Sequence, residues 1–246
     1  MDNHVLDLFL FAVALGAYVQ TVSGFAMGLL VMGLVSGLHL LPIAFTAVVI
    51  SLVSLLNLSL ALRRQHQHVR WTIVALVCLG MIPATILGVW LLQRLSVNAT
   101  QTLRLLLGGF ILVGGTLLML RPHQRTQPSP SACALLMGSL GGLFGGLFSA
   151  SGPPLVFYLY RQPYAVAIAR ATLLAVFIVA TLSRIVYAGV SGGITHDMLR
   201  LSAAALPVVF VGNAMGRRYA PPLSEHNMRR LAFALLILLG LSLVLT

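Results

Sequence analysis

Lysine does not occur in this chain, acidic residues number four in 246, and charged side chains of either sign make up only 8%. Soluble domains carry about 25% charged residues, so this composition cannot dress a water-soluble surface, whether as one domain or two. A hydrophobic share of 59% and a mean hydropathy of +1.00 belong instead to a polytopic membrane protein. All fifteen cationic residues are arginine, and the net charge is +11. In a soluble chain that excess would point to nucleic acid. In an apolar one it reads as cytoplasmic loops obeying the positive-inside rule, and no nucleic-acid partner is expected.

Other scarcities exclude particular chemistries. The two cysteines, Cys78 and Cys133, lie in apolar runs and offer neither a disulfide framework nor a thiolate metal site. His66 and His68 have no third ligand nearby, so no metal and no cofactor is expected. Asp2, Asp7, Asp197 and Glu225 all fall in loops or near segment ends. A relay of buried carboxylates is thereby excluded, as is an acid-based intramembrane hydrolase. No phosphate-binding loop is present, which argues against direct use of ATP. The residues Met1 to His4 lack a basic n-region, so the N-terminal segment is expected to be retained.

What is present is apolar length. A bilayer core of about 30 Å needs about 20 apolar residues as a helix. Segments at 6–36, 42–62, 71–93, 101–120, 132–160, 165–190, 199–216 and 226–246 qualify, predicting an all-α fold of about eight hydrophobic segments. The polar stretch at 122–131, with Gln127-Pro128-Ser129-Pro130, reads as a linker between membrane repeats at 1–121 and 132–246. Pro83 with Gly88 matches Pro207 with Gly212, Arg104 with Gly114 matches Arg230 with Gly240, and Thr21-Val22-Ser23-Gly24 matches Ser149-Ala150-Ser151-Gly152. Three matches in the same order point to internal duplication, a common construction among transporters. Pro83 and Pro207 are read as kinks or hinges.

The first segment of each half is too long for one perpendicular helix and too short for two. Each carries a small polar interruption, at 21–24 and at 149–154. One reading is a tilted, kinked helix. The other is a discontinuous or re-entrant helix, tolerated at membrane depth only where it lines a cavity or packs on protein. Arginine placement favours the second. Eight single crossings divide the arginines seven to eight, whereas re-entrant first segments invert the halves and collect eleven on one face against four on the other.

If the two interruptions meet, they form the expected substrate site. Ser151 or Gly152 stands at the capping position before Pro153 and Pro154, with Ser149 nearby, and the earlier interruption offers Thr21 and Ser23 before Gly24. Free N–H groups at a helix N-terminus, with hydroxyl donors, suit an oxyanion. Kink residues that satisfy their own backbone are the plainer alternative. Arg170 and Arg184 lie inside an apolar segment and are functional candidates, although both are near enough to its ends to snorkel. Asn57 is read as a path-lining or cross-bundle polar group. Gly138, Gly142 and Gly146, with Gly141 and Gly145, form small faces for close helix approach. The same faces would serve a homo-oligomer.

This pattern of two halves, each opening with a Gly/Ser-interrupted segment and carrying a Pro-x4-Gly third helix and an Arg-led fourth, resembles the TauE/SafE family of sulfite exporters. The stretch Gly141-Gly142-Leu143-Phe144-Gly145-Gly146-Leu147-Phe148-Ser149-Ala150-Ser151-Gly152-Pro153-Pro154 resembles the family's glycine-rich core. The resemblance implies a multi-pass transporter of the bacterial inner membrane for small organic or sulfur-containing anions such as sulfite or sulfonates. It implies no enzyme. Membrane potential or a proton gradient would supply the driving force. Two other classes stay open on sequence: an intramembrane enzyme holding a phosphorylated lipid or metabolite, with Ser151 its one tempting nucleophile, and a non-transporting assembly partner.

Overall fold

The computed structural model describes residues 3–23, 27–63, 65–119, 124–218, 234 and 237–241. Among the described residues nine α-helices run in order: α1 (Asn3–Ser23), α2 (Met27–Gly37), α3 (Ile43–Arg63), α4 (Trp71–Asn98), α5 (Thr100–Met119), α6 (Ser131–Phe148), α7 (Gly152–Tyr160), α8 (Val166–Val190) and α9 (His196–Arg218). Seven of them, all but α2 and α7, are long and apolar enough to cross a membrane. No strand occurs among the described residues. Phe11, Leu79, Val113 and Val186 point outward, as lipid-facing side chains of such helices must. The expected last segment, 226–246, lies outside the described residues apart from 234 and 237–241. Within that piece Leu239 packs on Gly33, and Gly240 packs on Ile111 and Leu112.

The long first segment of the second half is two helices broken at its sequence interruption; in the first half α1 continues through Ser23 and α2 begins at Met27. In the second half the break reverses the chain. A side chain at Gly145 would collide with Ser151, and one at Gly141 with Leu155, so α7 runs back along α6. The far ends of this hairpin are stitched together. Ser129 donates its backbone N–H to Gln162 Oε1 at 3.0 Å, Gln162 Nε2 donates to Ser129 Oγ at 2.9 Å, and the Arg125 N–H donates to the Arg161 carbonyl at 2.8 Å. In the first half Gly16 of α1 faces both Met27 and Val31 of α2, which brings α2 back along α1.

The glycine faces have a definite use. Gly138, Gly142 and Gly146 of α6 lie against the backbone of Val77, Met81 and Thr85 in α4, and Gly88 of α4 lies against Leu143. The two backbones touch, which no larger side chain would allow. Pro83 lies inside α4 and Pro207 inside α9, and both helices continue through them, each losing one internal hydrogen bond.

Contacts also sort the arginines by end. Arg70, just before α4, stacks over Tyr164 at 4.5 Å, beside Arg125 and Arg161. The opposite end of α4 joins the opposite end of α8 through Gln93 Nε2 donating to Ser191 Oγ at 2.9 Å. Arg200 with its exposed partner Asp197 lies towards that second end. A cysteine replacing Thr126 and one replacing Pro163, each in a background lacking Cys78 and Cys133, are therefore expected to react with an impermeant thiol reagent from the same face. A cysteine replacing Ser191 should react from the other face. Labelling of the Thr126 and Pro163 positions from opposite faces would contradict the hairpin.

Candidate functional site

The start of α2 meets the end of α6 inside the bundle, and the residues there explain why. α6 stops at Ser149, whose φ of 56° is left-handed, a conformation that costs a non-glycine residue about 1–2 kcal/mol. Its hydroxyl lies 2.8 Å from that of Ser51, near the middle of α3. Ser51 already donates to the Ala47 carbonyl at 2.7 Å, so Ser149 is the donor between the two. Gly28, second residue of α2, lies against the Ser149 carbonyl so closely that any Cβ would strike it. The start of α2 thus rests directly on the end of α6.

Between them is a cavity of about 60 Å³, lined by Gln20, Gly28, Ser54, Ser149, Ser151 and Thr181, among others. That is several times the ~10–15 Å³ such a space needs to hold one water, room enough for a compact oxyanion. Gly152, first residue of α7, also lines it. The expected cap is absent: Ser151 precedes α7 but makes no side-chain bond to its first turn. Pro153 is turned the other way. Its ring packs on Gly114 of α5 and borders an apolar groove with Phe110 and Phe144, so it shapes the helix start without lining the cavity.

A larger vestibule of about 730 Å³ opens towards the arginine-rich end, with Thr21, Asn57, Arg63, Gln65, Arg170 and Asn213 on its walls. Gln20 borders both spaces. A chain of amides and a hydroxyl crosses the vestibule. The Thr21 hydroxyl donates to Asn213 Oδ1 at 2.6 Å, Asn213 Nδ2 donates to Asn57 Oδ1 at 2.6 Å, and Asn57 Nδ2 lies 3.8 Å from Met27 Sδ. This chain joins α1, α9, α3 and α2. It spans the first break, where Gly24 and the Ser23 side chain lie outside the described residues.

Both arginines of α8 serve the breaks. Arg170 Nη2 donates to the Thr21 carbonyl, in the last turn of α1, at 3.0 Å. Arg184 is 2% exposed. Its Nη1 donates to the Gly145 carbonyl at 2.7 Å and to the Gly146 carbonyl, both in the last turn of α6. A cation there meets the negative end of the helix dipole, worth up to about 2 kcal/mol when partly buried. Snorkelling is therefore not what Arg184 does; its guanidinium is held inside the bundle. Nε and Nη2 find no hydrogen-bond partner, and no carboxylate pairs with Arg184, among the described residues. His66 and His68 sit exposed in a short 3-10 turn, and no cluster of metal-ligating side chains occurs among the described residues.

Sequence reasoning reached Thr21, Asn57, Ser149, Ser151, Gly152, Arg170 and Arg184, and the structure brings all of them to the cavity, the vestibule or the breaks. It missed Gln20, Ser51, Ser54, Thr181 and Asn213. Ser51 and Ser54 lie six and three positions before Asn57 on α3, Gln20 adjoins Thr21, and Asn213, inside Val211-Gly212-Asn213, carried the clearest signal of its own. Asn213→Ala should leave Asn57 Oδ1 without its donor, while the Thr21 hydroxyl keeps the Ala17 carbonyl at 2.9 Å, and destabilise the protein by about 1–3 kcal/mol. Thermal unfolding in detergent checks this against Ser59→Ala, whose exposed hydroxyl bonds only within its own helix and whose loss should be near neutral. Equal unfolding midpoints would contradict the role of the chain.

The family model described as "Sulfite exporter TauE/SafE" matches residues 8–243. The chain is 42% identical over 230 residues to the "Probable sulfite/organosulfonate exporter TauE" of Cupriavidus necator, covering 94% of this chain and 90% of that protein. It is 30% identical over 179 residues to the "Probable inner membrane transporter protein TsaS" of Comamonas testosteroni, covering 72% of this chain and 73% of that protein. No solved structure matches it.

Proposed function

We propose that this chain, which belongs to the sulfite exporter TauE/SafE family, carries small oxyanions through the cavity where its two helix breaks meet. It is a multi-pass inner-membrane transporter that exports small anions, and not an enzyme. Sulfite and compact sulfonates are the substrates we assign to it. The observation that carries the site is the contact of the start of α2 with the end of α6: Ser149 bonded to Ser51, Gly28 against the Ser149 carbonyl, and the small cavity beside them.

An anion leaving water must exchange its hydration for fixed donors; hydroxyls supply most of them here, because Pro153 and Pro154 leave Gly152 the only N–H among the first three residues of α7. The cavity borders Ser54, Ser149, Ser151, Thr181 and the start of α7, with no acidic residue among its walls. The vestibule carries Arg63 and Arg170, whose positive field would concentrate anions at its mouth. With the arginine-rich end in the cytoplasm, the described conformation is inward-open, and Gln20, shared by vestibule and cavity, marks the passage between them.

Export then follows from two inverted repeats, residues 1–121 and 132–246 joined by 122–131, each contributing one re-entrant hairpin. Rocking of one repeat against the other would move access from vestibule to the far side, with Pro83 and Pro207 as hinges in equivalent helices. An inside-negative potential supplies about 2.3 kcal/mol per charge per 100 mV, enough to drive a monovalent anion outward without a proton-carrying side chain.

Purified protein in liposomes loaded with labelled sulfite should release it faster than protein-free liposomes. Replacing Ser51 and Ser149 together by alanine should slow release by about tenfold or more, the equivalent of one hydrogen bond to a charged group at about 1.5–3 kcal/mol, while the protein stays monodisperse. No release above the protein-free rate for sulfite or any small sulfonate would contradict the assignment.

A further inference from the structure

Secondary transporters built on broken helices commonly place a coupling cation where unwound carbonyls and half-helix C-termini converge. This protein fills both such positions from within. Thr21, in the last turn of α1, gives its carbonyl to Arg170, and Gly145 and Gly146, in the last turn of α6, give theirs to Arg184. Both arginines belong to α8, fourteen positions apart, which is about 21 Å along a helix and nearly four full turns, so they leave it on neighbouring faces. One helix therefore carries a cation to each break.

We propose that Arg184 is a tethered substitute for a coupling cation, and that it lets the cavity accept an anion with no sodium or potassium bound. The inference rests on the transport reading of the same site and names how that site is balanced electrically. Three features of Arg184 single it out. It is buried within the bundle, and among the described residues it has no carboxylate partner. Two of its nitrogens, Nε and Nη2, have no acceptor among the described residues. Two carbonyls at the end of a helix carry only about half a negative charge between them and their neighbours, so a guanidinium held there leaves a surplus positive charge. That surplus lies one turn from Thr181, which lines the cavity, and behind Gly145, against which Ser151 of the cavity wall is packed. An oxyanion in the cavity neutralises it; a coupling cation would add to it. Arg184 is thus a positioning residue, acting on the substrate through charge and through the carbonyls that end α6.

The test uses the whole protein in liposomes, with sulfite as the probe. Wild-type release should be unchanged when sodium and potassium are replaced on both sides by choline. Arg184→Ala should lower release by at least about tenfold, ~1.4 kcal/mol, and guanidinium ion at millimolar concentration should restore part of it, which a purely structural loss would not allow. Arg184→Lys, which keeps a cation of different shape, should retain more release than Arg184→Ala and covers the case in which the alanine variant does not fold. A wild type that transports only with sodium or potassium would overturn the inference and leave the transport reading standing. A monodisperse Arg184→Ala that releases sulfite at the wild-type rate, or one that guanidinium does not restore, would overturn it equally, as would an Arg184→Lys no better than the alanine variant. Absence of wild-type sulfite release would remove both.

Discussion

Ending a helix inside a bilayer strands carbonyls and N–H groups where no water reaches them, and each unpaired group costs several kcal/mol. Two such endings occur in this protein, and much of its architecture answers the need to satisfy them. Arg184 takes carbonyls at the end of α6, Arg170 takes one at the end of α1, and the Ser149 hydroxyl, at the break itself, reaches Ser51. A buried arginine without a carboxylate is itself expensive. The two expenses offset each other only because helix C-termini are negative and guanidinium groups are positive.

Packing follows from the same constraint. Backbone at a break must lie close to other backbone, so the helices beside it need small residues. The glycines of α6 bring it into backbone contact with α4, and Gly28 lets the start of α2 touch the end of α6. The resulting cavity mixes hydroxyl and amide groups with Met27, Leu58 and Phe177 and carries no acidic residue among the described ones. Its neighbour, the vestibule, is lined by arginine and amide groups on the end where most described arginines lie. A site built from hydroxyls, helix ends and tethered cations suits anions, which agrees with the family to which the chain belongs.

The membrane class and the break of the second half, with its hairpin, were legible in the sequence, because each leaves a pattern: sustained apolar runs and a Gly/Ser/Pro interruption. In the first half α1 stays helical through Ser23, and residues 24–26 lie outside the described residues. Helix ends were less legible; α4 runs on to Asn98 and α1 begins at Asn3, since polar residues can continue a helix beyond the apolar core. Arg184 could not be settled from distance along α8, because six residues from a helix end is equally compatible with reaching water or reaching an α6 carbonyl. Gln20, Ser51 and Asn213 were invisible for a different reason. Small polar side chains are common in apolar helices, and even the Ser51, Ser54, Asn57 spacing on α3 takes its meaning from which helix faces it. Pro153 misled because a residue that starts a helix beside a cavity need not face it.

The central claim is that fixed protein charges hold the anion while the membrane potential moves it. Its most direct test is the rate of sulfite release from proteoliposomes whose potential is clamped over a series of values, with no proton gradient imposed. The account predicts release that steepens as the lumen is made more negative, with net negative charge leaving with each sulfite. Release that ignores the potential, or that carries no net charge, would contradict it.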